Sequence, residues 1–149
     1  MKLKKILFVC TGNTCRSPMA EIILRNKLKL ANVKGVRVSS AGLSAIDGQK
    51  MSENSQKALK LLGCKPYGFK SKKLTLDLIM KYDTVICMTR AHKQYISVFE
   101  NVYTISEITG LNDILDPYGG DISVYKQTSY QIDDACNLIL EKILQQKEI

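Results

Sequence analysis

Cys10 and Arg16 lie six positions apart, with Thr11-Gly12-Asn13-Thr14-Cys15 between them and Ser17-Pro18 after them. A thiol and a guanidinium at that spacing, at the end of an apolar run and just before a helix, build an anion cradle with a nucleophile at its floor. Successive backbone N–H groups of such a loop can curl inward around three phosphate oxygens. The following helix aims its positive end at the same point, and Arg16 offers a fork of donors that grips two oxygens. The positive field is expected to lower the Cys10 pKa and make the thiolate available.

The residues between have separate uses. Gly12 is expected to supply a backbone conformation that a β-carbon would block, and a close approach to the anion. Asn13 tolerates left-handed geometry and can tie the loop to its surroundings. Thr11, Thr14 and Cys15 complete the wall of the cradle. Ser17 can donate a hydrogen bond to the Cys10 thiolate, and Pro18 suits the first turn of a helix. A bare C-x5-R spacing arises by chance in roughly a quarter of chains with this many cysteines, but requiring Gly12 and Ser17 as well lowers that to about one in a thousand. The loop is therefore a signal and not a coincidence of composition.

A thiolate that displaces a leaving group from phosphorus needs a proton donor opposite it. Asp116 fits, stiffened by Pro117, with Tyr118 as an aromatic wall; the plainer reading is an Asp-Pro turn. The same carboxylate can then activate water against a cysteinyl-phosphate, with the charge held by Arg16 and the loop amides. No metal or other cofactor is required. His92, the only histidine, reads as a surface or helix-capping residue, and Asp133 and Asp134 as solvated.

These residues need a scaffold, and the chain supplies alternating strands and helices. Residues 6–10, and Val85-Ile86-Cys87-Met88 within a strand over 83–89, are apolar runs of the kind buried on both faces of a parallel sheet. Further strands are expected over 36–40 and 102–105. Helices are expected over 18–32, 52–62 (capped by Ser52 and closed by Gly63), 74–81 (starting at Thr75), 91–99 and 129–146. Residues 41–50 and 112–124 read as loops. The pattern implies an α/β three-layer fold, with a central parallel sheet and helices on both faces. Ligands in such sheets bind at the carboxyl ends of strands, where Cys10 lies.

At 149 residues, with 45% hydrophobic and 24% charged residues, the chain fits one soluble domain over 1–149. The apolar run after Met1 is too short for a signal peptide, and no stretch is long enough to span a membrane, so a cytoplasmic location is expected. Five cysteines, an odd number, argue against a secreted disulfide framework, and a zinc site lacks its spacings. Cys64, Cys87 and Cys136 read as small core hydrophobes. Cys15 reads equally as loop filling or as a partner that traps oxidised Cys10 in a disulfide. The formal charge of +8 suits phosphate steering; its lysines are spread and not interleaved with aromatics, so nucleic-acid binding is not expected.

The chain resembles the low-molecular-weight protein tyrosine phosphatases, and within them the bacterial protein-arginine phosphatases. The resemblance rests on 10–21, Ser40-Ala41-Gly42, 88–94, Asp116-Pro117-Tyr118-Gly119-Gly120, Ile122 and 125–128, and so covers nearly the whole chain. It implies a flavodoxin-like fold, with Cys10 as nucleophile, Arg16 as phosphate clamp and Asp116 as general acid. It also implies phosphorylated protein substrates and a role in reversing arginine phosphorylation. Tyrosine-directed members carry a bulky aliphatic residue after the nucleophile, where this chain has Thr11, which leaves room for a guanidinium and can hydrogen-bond it. Gly119 likewise stands where eukaryotic tyrosine phosphatases place another tyrosine; Tyr118 departs from the arginine-directed pattern, which has Phe. A phosphotyrosine phosphatase is the alternative. A thiol-dependent arsenate reductase would need relay cysteines, and 89–96 holds none. A silent phosphate-binding module would need neither Cys10 nor Asp116.

Overall fold

A computed structural model describes residues 1–147. Four parallel strands form the central sheet: β1 (Lys5–Cys10), β2 (Arg37–Gly42), β3 (Thr84–Cys87) and β4 (Val102–Thr104), in the order β2-β1-β3-β4. β1 is central, paired Cys10 to Gly42 on one side and Val9 to Cys87 on the other. Its apolar run has no polar alternation because both faces are covered. Ile6, Phe8 and Cys10 join one core cluster with Met19, Ile23, Leu59, Ile105, Ile132 and Ile139. Leu7 and Val9 join the other with Ile79, Val85, Ile96 and Val102. Each fully buried side chain of this kind contributes about 1.5–3 kcal/mol.

The first cluster is closed by α1 (Arg16–Leu30), α2 (Glu53–Leu61), α5 (Ile105–Thr109) and α6 (Ile122–Lys147); the second by α3 (Leu76–Lys81) and by Ile96 and Phe99, just after α4 (Arg90–Gln94). Sheet and helices on both faces make the expected three layers. The helix starts read from the sequence at Ser52 and Thr75 hold: Ser52 accepts from the Ser55 N–H and Thr75 from the Leu78 N–H.

Three elements differ from expectation. α5 lies where the sequence reading placed only a strand end, started by a capping box in which Thr104 and Glu107 satisfy each other's backbone amides. α6 begins at Ile122, well before residue 129, because Asp121 Oδ1 accepts from the Val124 N–H at 3.2 Å and starts the helix there. α4 stops at Gln94 instead of 99, and the chain continues in turns.

No helix of the described residues is long and apolar enough to cross a membrane.

Candidate active site

Strand β1 ends at Cys10 and helix α1 starts at Arg16, so residues 11–15 must turn through a tight loop at the carboxyl edge of the sheet. The loop's carbonyls face outward: those of Cys10, Thr11 and Thr14 accept from the backbone N–H groups of Leu43, Ser44 and Ser52, each at 2.9 Å. The amides of Asn13 and Ser17 are turned to the Cys10 sulfur. Asn13 is left-handed, with φ of 55°. Its side chain uses both amide hydrogens, donating to Ser17 Oγ and Ser40 Oγ, each at 2.9 Å, and its oxygen accepts from the Lys72 N–H at 2.9 Å. These bonds offset the cost of the strained backbone, which is about 1–3 kcal/mol.

The loop encloses a cavity of about 220 Å³ lined by Cys10, Thr11, Gly12, Asn13, Thr14, Cys15 and Arg16, with Asp116 and Tyr118 at its rim. All the site residues read from the sequence meet there except Ser17. That hydroxyl lies 2.8 Å from Cys10 Sγ, fully buried behind it, and so contacts the sulfur without reaching the wall. Arg16 is buried, and its Nη1 donates to the Ile114 carbonyl at 3.0 Å. Its Nη2 faces Asp116 Oδ2 at 3.8 Å, an ion pair too long for a hydrogen bond. Asp116 is half exposed, and its Oδ1 accepts from the Tyr118 N–H at 3.1 Å. Among the described residues no three His, Cys, Asp or Glu side chains gather where they could hold a metal ion.

The family model for low molecular weight phosphotyrosine protein phosphatases matches residues 5–149. The chain belongs to that family. It is similar to the protein-arginine-phosphatase of Bacillus subtilis (strain 168), at 37% identity over 147 residues that cover 93% of this chain and 95% of the relative. It is also similar to the low molecular weight protein-tyrosine-phosphatase PtpB of Staphylococcus epidermidis, at 36% identity over 140 residues, covering 91% and 96%. Among solved structures, the YwlE arginine phosphatase from Geobacillus stearothermophilus superposes with a TM-score of 0.88 at 35% identity, covering 97% of this chain and 95% of that one.

Electrostatics in this member of the phosphatase family correct two expectations. Burial pushes the Cys10 thiol up from its ordinary range, and it outweighs the Ser17 hydroxyl, the Ser17 and Asn13 amides and the Arg16 guanidinium, which pull it down. The expected lowering considered the donors and not the dry floor they sit on. His92 is not a surface residue: it is 5% exposed, with Nε2 2.9 Å from Thr11 Oγ1 and Nδ1 2.9 Å from Thr89 Oγ1. Burial first, then Arg16, lowers its pKa to about 4, so the ring is neutral near pH 7.

The backbone conformation expected of Gly12 is not what it adopts. Its φ is not in the left-handed region, and an added β-carbon would meet only Thr14 Oγ1 at 3.9 Å. The position that excludes a side chain is Gly42, where a β-carbon would lie 2.5 Å from the Thr11 carbonyl oxygen and 2.9 Å from the Asn13 nitrogen. Cys15 packs its sulfur 3.5 Å from Ser52 Oγ and 3.6 Å from Tyr125 OH. Asp133, expected to be solvated, pairs with Lys27 at 2.7 Å. Cys64, Cys87 and Cys136 are buried as expected, and burial raises the pKa of each.

Proposed function

We propose that this protein is a protein-arginine phosphatase acting through a cysteinyl-phosphate, with Cys10 as nucleophile, Arg16 as phosphate clamp and Asp116 as general acid. The observation that carries the proposal is one small cavity with Cys10 at its floor, Thr11 in its wall and Asp116 at its rim. Relatives named as protein-arginine-phosphatases at 36–37% identity support it.

In the first step Cys10 sulfur attacks phosphorus in line with the leaving nitrogen. The P–S bond forms, the P–N bond breaks, and Asp116 in its acid form gives its proton to the departing guanidine. A Cys10 thiol held neutral by burial can pass its proton to a phosphoryl oxygen of the incoming dianion, so attack starts from the thiolate. In the second step the Asp116 carboxylate takes a proton from water as the water oxygen attacks phosphorus. The P–S bond breaks, and orthophosphate and the free sulfur are released. Arg16 and the loop amides hold the phosphoryl oxygens through both steps.

The Asp116 carboxyl group at the rim also offers an oxygen to the guanidinium N–H groups at the mouth, and the Thr11 side chain is small and polar enough to meet them. Phosphorylated proteins are therefore the substrates, the whole chain acts as one catalytic domain, and the cytoplasm is its site of action.

The test is kcat/KM for a phosphoarginine protein and a phosphotyrosine peptide, side by side and without added metal. A strong preference for phosphoarginine is expected, and Thr11→Ile is expected to reduce phosphoarginine turnover more than phosphotyrosine turnover. A preference for phosphotyrosine in the wild type makes the protein a tyrosine phosphatase, as the PtpB relatives are named.

A further inference from the structure

The Thr11 hydroxyl is tied to an element far from its own loop. Its Oγ1 lies 2.9 Å from His92 Nε2, across 81 positions of sequence. The other ring nitrogen, Nδ1, lies 2.9 Å from Thr89 Oγ1, and the His92 backbone N–H donates to that same oxygen at 3.1 Å. The imidazole is thus clamped between two threonine hydroxyls on a buried path into the cavity wall. It is neutral near pH 7 because burial and Arg16 oppose its charging more than Asp113 and Asp116 favour it.

A neutral imidazole has one N–H and one bare nitrogen, so one of the two threonines must donate to it. Thr89 Oγ1 already serves as an acceptor for the helix cap, and a second lone pair can take Nδ1–H. In that tautomer Nε2 is bare and takes up the Thr11 proton. Thr11 Oγ1 then turns only lone pairs toward the cavity. A phosphorylated guanidinium keeps four N–H donors and no acceptor nitrogen, whereas a phenyl ring offers no such donors.

We infer that His92 is a positioning residue that sets the polarity of Thr11: it takes the Thr11 hydroxyl proton on Nε2 and makes Thr11 an acceptor for the substrate guanidinium. This assignment rests on the phosphoarginine reading above. It links substrate choice to a side chain that does not line the cavity.

Nitrogen NMR on the ¹⁵N-labelled full chain at pH 7 reads the ring directly. A protonated Nδ1 and bare Nε2 are expected; a protonated Nε2 overturns the inference without any variant being made. In kinetics, His92→Leu is expected to lower kcat/KM for a phosphoarginine protein by about 10- to 100-fold, and for a phosphotyrosine peptide by less than about 3-fold. Thr11→Val is expected to give the same selective loss, Thr11→Ser to keep most of the preference, and the double variant to lose little more than either single one. Equal losses on both substrates reduce His92 to a structural role and overturn the inference. A wild-type preference for phosphotyrosine sinks the phosphoarginine reading itself, an outcome separate from the ring's protonation.

Discussion

The Ser17 hydroxyl and the Cys10 sulfur lie 2.8 Å apart, both buried, with Asn13 Nδ2 donating to the same Ser17 oxygen at 2.9 Å. The Ser17 hydroxyl also lies 3.4 Å from the Ala41 carbonyl oxygen, and either partner can donate across the contact with sulfur. Once Cys10 is a thiolate, only the Ser17 hydroxyl can donate across it. The contact favours the thiolate against the burial that disfavours it. Ser17→Ala is therefore expected to move the pH profile of Cys10 alkylation to higher pH and to lower kcat/KM by about 10-fold. An unmoved profile would take Ser17 out of this role. Cys10→Ser is expected to cut turnover by about three orders of magnitude or more while leaving phosphate binding measurable, and retained turnover would remove Cys10 as nucleophile.

Asp116 stands at the rim, half exposed, with its carboxylate toward Arg16. A general acid matters most when the leaving group is poor. Asp116→Asn is expected to slow cysteinyl-phosphate formation by about 10²- to 10⁴-fold for phosphoarginine, and much less for an activated aryl phosphate. Rapid-quench measurement of the covalent intermediate on both substrates tests this. The same loss on both would assign Asp116 to binding alone.

His92 gives the fold a defined pH response. Its pKa is about 4 in the folded chain, against an ordinary value of 6.5. Between those values the unfolded chain binds the extra proton, so stability rises with pH there: it is fully present above 6.5 and is lost as pH falls toward 4. The loss is up to about 3 kcal/mol. Urea unfolding at pH 7 and pH 4.5 should show it, and His92→Asn should flatten that difference. A wild type and variant with parallel pH dependence would exclude His92 as its source.

Two glycines in and beside the loop should behave in opposite ways. Gly42→Ala drives a β-carbon into the Thr11 carbonyl and the Asn13 nitrogen, backbone atoms that cannot step aside. It is expected to cost about 1–3 kcal/mol and to lower activity by displacing the loop. Gly12→Ala meets nothing closer than 3.9 Å within the protein, so its effect should fall on substrate binding and not on the unfolding midpoint. Denaturant midpoints beside KM values for the two variants check this, and a stable Gly42→Ala would refute the packing argument.

Much of the architecture was legible in the sequence because burial on both faces leaves a plain mark. Residues 6–10 and 85–88 are apolar without alternation, and both are central strands. The short α5 was missed although Thr104 and Glu107 stand at capping-box spacing, since a one-turn helix leaves no periodicity to find. α6 starts inside the segment 112–124 that reads as a loop, because its first turn is set by the Asp121 side chain and not by apolar periodicity. In the site, residues 10–17 are contiguous and carry their chemistry in their types, so they could be named from the sequence. What escaped depends on contacts between distant residues. His92 meets Thr11 across 81 positions, the Ile114 carbonyl that holds Arg16 has no side-chain signature, and the dryness that raises the Cys10 pKa exists only once the layers have packed.

The bond from Arg16 to the Ile114 carbonyl also orders events in time. The cysteine loop leaves the ribosome before the residue that anchors its guanidinium, which lies 98 positions later. Domains take shape during synthesis as their parts emerge. A nascent chain that stops short of Ile114 holds the cysteine but neither the carbonyl that aims Arg16 nor the carboxylate two residues beyond it. The site is therefore incomplete until residue 116 has been made.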